Sequence, residues 1–444
     1  MERKMKDSGH PWIGKIPEHW ELHYLRGIAN AFRKGNGITK EDLDPDGDIL
    51  CVRYGDLYTK YNHCITTVSC RTNVSAIQNA VYSTYGDIYF TCSGEDVDLI
   101  GKSAAFLCDE PCLVGGDLII MRHNQNPRFL GYSLDSYVSQ KQKSYGKSKL
   151  KVVHTSVKDL KNVAIALPPL AEQERIVSYL DEKCGEIDEL IDVEQQMISD
   201  LESYRQAVIT EAVTHGINPD SAMIVSGCDW FDSHPSHWHT EKIRNLFVKR
   251  SEKNNPIKTK ERLSLSIDKG ITLYADKTTN LDRFKDDFTQ YQLAHPDDIV
   301  LNSMNMIVGA VGKSDYYGCV SPVYYVIYSK DANVNMDYYG YLLNIPIIRD
   351  VYHKLGQGIY AIERGDGRVN TCRLKVDYYE FSQIKVPVPP IDEQISIAKY
   401  LKQKNQEIDE LIKVKQEKIE NLKQYRQSLI FEAVTGKTPI IENL

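Results

Sequence analysis

The sequence predicts an α+β protein built twice, with two pseudo-symmetric globular domains separated by two long helices that form an antiparallel coiled coil. Three observations lead there. First, Pro168-Pro169-Leu170-Ala171-Glu172-Gln173 returns as Pro389-Pro390-Ile391-Asp392-Glu393-Gln394. Ile187-Asp188-Glu189-Leu190-Ile191, Tyr204-Arg205-Gln206 and Glu211-Ala212-Val213-Thr214 return as Ile408-Asp409-Glu410-Leu411-Ile412, Tyr425-Arg426-Gln427 and Glu432-Ala433-Val434-Thr435, always 221 positions later. A gapless repeat of this length is a duplicated structural unit. Second, apolar residues in both copies follow heptad spacing: Leu180, Ile187, Leu201 and Val208 with Ile191 and Ile198, then Leu401, Ile408, Leu422 and Leu429 with Ile412 and Ile419. Third, the segments between the helices repeat sparsely. Trp12 and Pro17-Glu18-His19-Trp20 reappear as Trp230 and Pro235-Ser236-His237-Trp238, offset by 218, while Asp87-Ile88 aligns with Asp298-Ile299 and Gly101-Lys102-Ser103 with Gly312-Lys313-Ser314, offset by 211. Common scaffolds with diverged surfaces suit two sites doing one kind of job on different targets.

The expected order is a globular domain over 1–167, a helix over 168–216, a second globular domain over 217–388, a second helix over 389–436 and a tail over 437–444. Gly86–Thr91, Leu118–Met121, Asp298–Leu301 and Val323–Ile327 read as strands, because they are short, β-branched or aromatic runs beside turn residues. The proline pairs end a strand and tolerate a helix start just after them, and Gly216 and Gly436 mark the helix ends. Each helix spans roughly 60 Å at 1.5 Å per residue, too long a stripe for one small domain to cover, so each needs a partner helix. The other copy is the obvious one. Glu194 and Lys415 interrupt the heptad line near the two midpoints, and antiparallel pairing would set them face to face as a register-fixing pair.

Composition narrows the class. At 444 residues and 42% hydrophobic the chain can bury sizeable cores. Its first residues lack the apolar core of a secretory signal, and no run of about 18 apolar residues could span a bilayer, so a cytoplasmic location without membrane contact is expected. The ten cysteines lack C-x-x-C spacing and read as reduced core thiols. Cys108 with Cys112, and Cys228 with His234, His237 and His239, come nearest to metal ligand sets, but no second ligand pair has usable spacing, and no metal is expected. Net charge is −7. It is concentrated in the first helix, where residues 172–214 hold twelve acids against three bases; residues 393–435 hold seven against eight. The globular regions are left free to carry basic faces.

Near the end of each globular domain lies a polar, glycine-containing stretch. Gln140–Lys149 carries Lys141, Lys143, Tyr145, Lys147 and Lys149, and Gly356–Arg368 carries Gln357, Tyr360, Arg364 and Arg368. Cations interleaved with an aromatic and with amides have the chemistry for phosphate contact, stacking and bidentate base reading. Arg53, Tyr54 and Tyr58 in the Cys51–Tyr58 run, and Lys258 and Lys260 in a basic run from Lys249 to Arg262, join them as candidate DNA contacts, although such runs also serve as local structure or solvated faces. Catalytic constellations are missing. Gly101-Lys102-Ser103 and Gly312-Lys313-Ser314 mimic the end of a Walker A loop, but Asp96 and Ile307 stand where its first glycine belongs. There is no G-x-G-x-x-G opening a nucleotide fold and no amino-methylase motif. The chain is expected to recognise rather than react.

Trp12-Ile13-Gly14-Lys15-Ile16-Pro17-Glu18-His19-Trp20, the Leu167–Ile176 run with its copy at 388, and Tyr-Arg-Gln followed by Glu-Ala-Val-Thr near both helix ends resemble the specificity subunit of type I restriction–modification systems, over essentially the whole chain. The resemblance implies a DNA-reading subunit with two target-recognition domains, each reading one half of a bipartite, asymmetric site in double-stranded DNA. The helices would set the spacing and dock two methylation subunits. S-adenosylmethionine would be held by those partners, and two ATP- and Mg-dependent restriction subunits could join them; no cofactor belongs to this chain. The competing readings are a coiled-coil adaptor without DNA contact, which leaves the basic loops unexplained, and a self-contained nuclease or methylase, which lacks its motifs.

Overall fold

The computed structural model describes residues 3–73, 80–94, 97, 100–147, 153–267, 269–276, 287–359 and 373–440. The chain divides into two compact units, and the cut falls inside the long helices: residues 1–195 with 416–444 form the first, and 196–415 the second. The boundaries expected near 168 and 389 therefore mark changes of secondary structure, while each body takes half of each helix.

In the first unit a five-stranded sheet runs in the order Ala29–Lys34, Leu118–His123, Ile88–Thr91, Ser103–Phe106, Cys64–Ile65, antiparallel except for the last pair. A smaller four-stranded sheet, Arg71–Thr72, Ile49–Val52, Cys112–Val114, Tyr82–Ser83, contributes to the same core as the larger one, through Leu50, Val52, Tyr89, Phe106, Val114 and Ile120 among others. Ile88–Thr91 and Leu118–Met121 are buried throughout, as central strands must be when both faces are covered. The second unit repeats the principal order in shorter form: Val248–Lys249, Tyr324–Tyr328, Ile299–Asn302, Val311–Lys313. Gly101-Lys102-Ser103 falls at a turn and strand start and Gly312-Lys313 within a strand, as scaffold positions. The described cysteines are free thiols.

One departure from expectation lies at Gln140–Lys149. Ser136 accepts the N–H of Ser139 as a helix cap, and Tyr137–Ser144 is helical rather than loop. Helical periodicity turns Val138, Ser139 and Lys143 inward, so a stretch that composition marks as solvated is half buried.

The long helices span Leu170–His215 and Ile391–Val434. Within the first unit Asp188 pairs with Arg426 and Glu194 with Lys418; within the second, Arg205 pairs with Asp409 at 2.5 Å and Lys415 reaches the Met197 sulfur at 3.1 Å. Numbering rises on one helix as it falls on the other, so the segments run antiparallel in each unit. Leu180, Ile187, Ile191, Ile419 and Leu429 are buried in the first, and Leu401 and Ile408 in the second, on the heptad lines read from sequence. Glu194 is buried as its midpoint position suggests, with Lys418 as its partner in its own unit. It belongs to the first unit and Lys415 to the second, so neither unit by itself carries the pairing expected between them.

Both helices end in left-handed glycines, Gly216 at φ 81° and Gly436 at φ 71°. A methyl group on Gly436 would lie 2.5 Å from the Pro17 ring and 3.1 Å from Trp20. We expect Gly436→Ala to lower the melting temperature markedly, since left-handed backbone costs a side chain about 1–2 kcal/mol before any collision. Gly185, exposed in the helix interior with nothing near a new methyl, should do the opposite on Gly185→Ala and gain up to about 1 kcal/mol. Paired thermal melts check the contrast.

Candidate nucleic-acid interface

The repeated motifs hold each globular domain to the helices. Glu172, in the first turn of its helix, accepts the Trp20 indole N–H and bonds the His19 ring, both at 2.9 Å, and pairs with Arg3. Glu393 does the same with Trp238 at 2.9 Å and His237 at 2.8 Å. Burial works against the charge on Glu172, but its three donors outweigh that and hold the carboxyl below its usual range. The neighbouring glutamines are buried. Gln173 accepts the Asn126 N–H at 3.0 Å and donates to Pro168 O and Gln125, while Gln394 accepts the Asn335 N–H at 2.8 Å and donates to Pro389 O and Asn333 O. Asn126 and Asn335 in turn cap the helices starting at Pro127 and Met336. His237, which could have been mistaken for a metal ligand, is thus a framework residue, and no metal-holding group exists among the described residues.

Several sequence-named contacts are framework as well. Lys143 is buried, 2% exposed, and its ammonium donates to Gly101 O at 2.6 Å, Leu134 O at 2.8 Å and the Ser103 hydroxyl at 3.4 Å. It cannot reach a phosphate. Burial penalises its charge, with Lys102 adding to the shift and Asp135 opposing it, and its pKa falls to about 8. Lys147 donates to His154 O and to Asp159 at 3.2 Å, pinning the strand Val153–His154. Arg53 closes a capping box with Asp56, and Tyr58 bonds Thr91 at 2.8 Å and Ser93 O at 3.1 Å, with Tyr54 edge-on to its ring. Lys258 differs from these: it is exposed, and pairs with Glu252 at the surface.

Other candidates do face solvent. Tyr145 is exposed and meets Trp12 edge-on; Lys141 is half-buried over the Tyr137 ring; Lys260 and Gln357 are exposed. Lys149, Tyr360, Arg364 and Arg368 lie outside the described residues. Within the basic run of the second unit, Arg250 makes a two-pronged pair with buried Asp298, whereas exposed Lys249 stands over the rings of Tyr325 and Tyr378 at 4.8 and 4.7 Å. No helix among the described residues is long and apolar enough to cross a membrane.

Two α+β bodies, each braced on an antiparallel helix pair by the same buried contacts, define a duplicated scaffold. The family model for the type I restriction modification DNA specificity domain matches residues 17–203. The putative type I restriction enzyme MjaX specificity subunit of Methanocaldococcus jannaschii is 26% identical over 442 residues, covering 96% of this chain and 95% of its own. The type I restriction enzyme EcoBI specificity subunit of Escherichia coli is 26% identical over 151 residues, 32% of this chain and 31% of that protein. Among solved structures, a chain from work on assembly and conformational transition of the type I R-M system superimposes with a TM-score of 0.67 at 17% identity, covering 95% of this chain and 99% of that one. The HsdS subunit from Thermoanaerobacter tengcongensis gives 0.50 at 17% identity over 97% and 100%. Residues 17–203 thus match the DNA specificity domain of type I restriction modification, and nearly the whole chain is similar to a type I specificity subunit.

The Lys143 site makes a pH signature. The folded pKa of about 8 lies below the ordinary lysine value, so between pH 8 and about 10.5 the unfolded chain binds more proton than the folded one. Stability from this group is absent below pH 8 and grows as pH rises through that window. Denaturant melts at pH 7.5, 9 and 10, compared between the native chain and Lys143→Met, should show this increment only in the native chain.

Proposed function

We propose that this chain is the DNA-reading subunit of a cytoplasmic type I restriction–modification complex, in which each globular domain reads one half of a bipartite, asymmetric duplex site. The observation that carries the reading is that one framework occurs twice, with its main buried bonds repeated, while the exposed side chains mounted on it differ. Repeated framework with divergent surface is what two half-sites of unlike sequence require. Chemistry then belongs to partners: methylation subunits that hold S-adenosylmethionine, and restriction subunits that consume ATP with Mg.

Two copies of the methylation subunit suit the helices. The first unit exposes Leu190, Val193 and Tyr425, and the second exposes their repeat equivalents Leu411, Val414 and Tyr204. The Asp188–Arg426 and Arg205–Asp409 pairs put the leucine and tyrosine of each set at about the same level across the helix pair. Equal apolar patches, one per unit, fit two equal partners.

Replacing residues 1–167 by the matching domain of a relative should change one half of the methylated motif and leave the other intact. Removing one heptad from each helix, about 10 Å of rise, should shorten the gap between half-sites by about three base pairs without altering either. Sequencing methylated sites reads both results. Absence of DNA retention in any complex would favour the adaptor reading instead.

A further inference from the structure

We infer that His154 in the first unit and Lys375 in the second are base-reading residues, occupying one position of the duplicated frame; the inference rests on the DNA-reading role proposed above. In the first unit Thr155 donates its N–H to Cys92 O at 2.7 Å, and in the second Val376 donates to Ser303 O at 3.0 Å. Thr155 and Val376 are 221 apart and Cys92 and Ser303 are 211 apart, the offsets of the flanking repeats, so this is the same bond made twice. Each bond ties the strand leading back toward the long helix to the chain just past the end of a central strand, Ile88–Thr91 or Ile299–Asn302.

On this tie the side chains alternate. Val153, Thr155, Leu374 and Val376 are buried, while His154 and Lys375 are exposed. A strand's twofold period therefore fixes both side chains outward from a rigid backbone. Lys147 holds the His154 carbonyl from one side, and cross-strand pairing of Gln357 with Lys375 places a second exposed polar group beside the lysine. An exposed lysine lies near each tie. Lys34 lies close enough to Cys92 to act electrostatically on its thiol, and Lys249 stands over Tyr325, whose hydroxyl donates to Val376 O at 2.9 Å.

The frame is shared and the reading chemistry is not. Lysine is a pure donor, matched to the O6 and N7 acceptors of guanine in the major groove, whereas neutral imidazole offers one donor and one acceptor. The residue after the shared acceptor differs too: Ser93 is buried, but its equivalent Met304 is 41% exposed and adds an apolar surface suited to a thymine methyl group. Lys34 and Lys249 serve as phosphate contacts that position the duplex.

The test uses the full chain assembled with its methylation partners, and reads methylated host sites by sequencing. His154→Ala should relax base preference about tenfold or more at a position of one half-site only, and Lys375→Ala should do so in the other half-site only. Lys34→Ala and Lys249→Ala should weaken binding to all duplexes alike and lower the salt slope by about one each. An unchanged motif in both reading variants, uniform weakening across sequences, or a lowered melting temperature would each overturn the assignment, since an exposed reading residue neither sets affinity alone nor holds the fold. If the native complex selects no bipartite motif, the DNA-reading role itself fails; a native motif left unchanged by the variants removes this inference alone.

Discussion

One carboxylate per unit sets the geometry on which everything else rests. Glu172 and Glu393 sit in the first turn of a helix, where the dipole favours negative charge, and each gathers an indole N–H and a histidine ring from the strand-and-turn segment before its globular domain. The indole then packs where the other long helix terminates: Trp20 lies against Gly436, and Trp238 against Gly216. Start of one helix, end of the other and first turn of the domain meet at one node. A residue larger than glycine, or a donor lost from the tryptophan position, disturbs all three together. This is why the motifs travel as a set through the duplication even though the spacing between them has drifted from 221 to 218.

Along the helices the same economy of parts appears. Asp188 with Arg426 and Asp409 with Arg205 are one interaction made twice, each helix supplying the acid once and the base once. Such exposed pairs add little stability, on the order of 0–1 kcal/mol, so their role is to choose register. Glu194 differs because it is buried, and Lys418 is the counter-charge that makes burial tolerable. The first helix is strongly acidic and the second slightly basic. With Lys418 and Arg426 both standing on the second copy opposite acids of the first, the imbalance favours pairing between unlike copies over pairing of the acidic copy with another like itself.

Much of this was legible from residue spacing. The helices start after their proline pairs and stop at Gly216 and Gly436, the central strands fall where β-branched runs meet turn signals, and the Gly-Lys-Ser triplets sit in scaffold. What spacing cannot reveal is whether a polar side chain already has an acceptor inside the fold. Lys143 looked like part of a solvated basic loop because composition ignores the carbonyls of Gly101 and Leu134 that meet it. Arg53 and Tyr58 are likewise tied to neighbours inside the fold. Conversely, His154 and Lys375 carry no sequence signal of their own, because each alternates with apolar neighbours as in any half-exposed strand. Only the two copies of one backbone bond make their equivalence visible.

The distribution of charge also separates affinity from discrimination. A lysine held by carbonyls within the fold, such as Lys143 or Lys147, is a poor neutraliser of phosphate, because leaving its partners strands the acceptors. With a net charge of −7 on the chain, Lys143 and Lys147 so engaged add little to the counterion release that dominates non-specific DNA affinity. On the DNA-reading role proposed above, a subunit of this kind gains by leaving bulk affinity to partners and keeping its mounted side chains for the base edges. A contact that holds any sequence equally adds the same free energy at the right site and at every other, so it leaves the gap between them unchanged and contributes nothing to discrimination. The buried framework that consumes the charges and the exposed positions that read bases are two consequences of the same requirement.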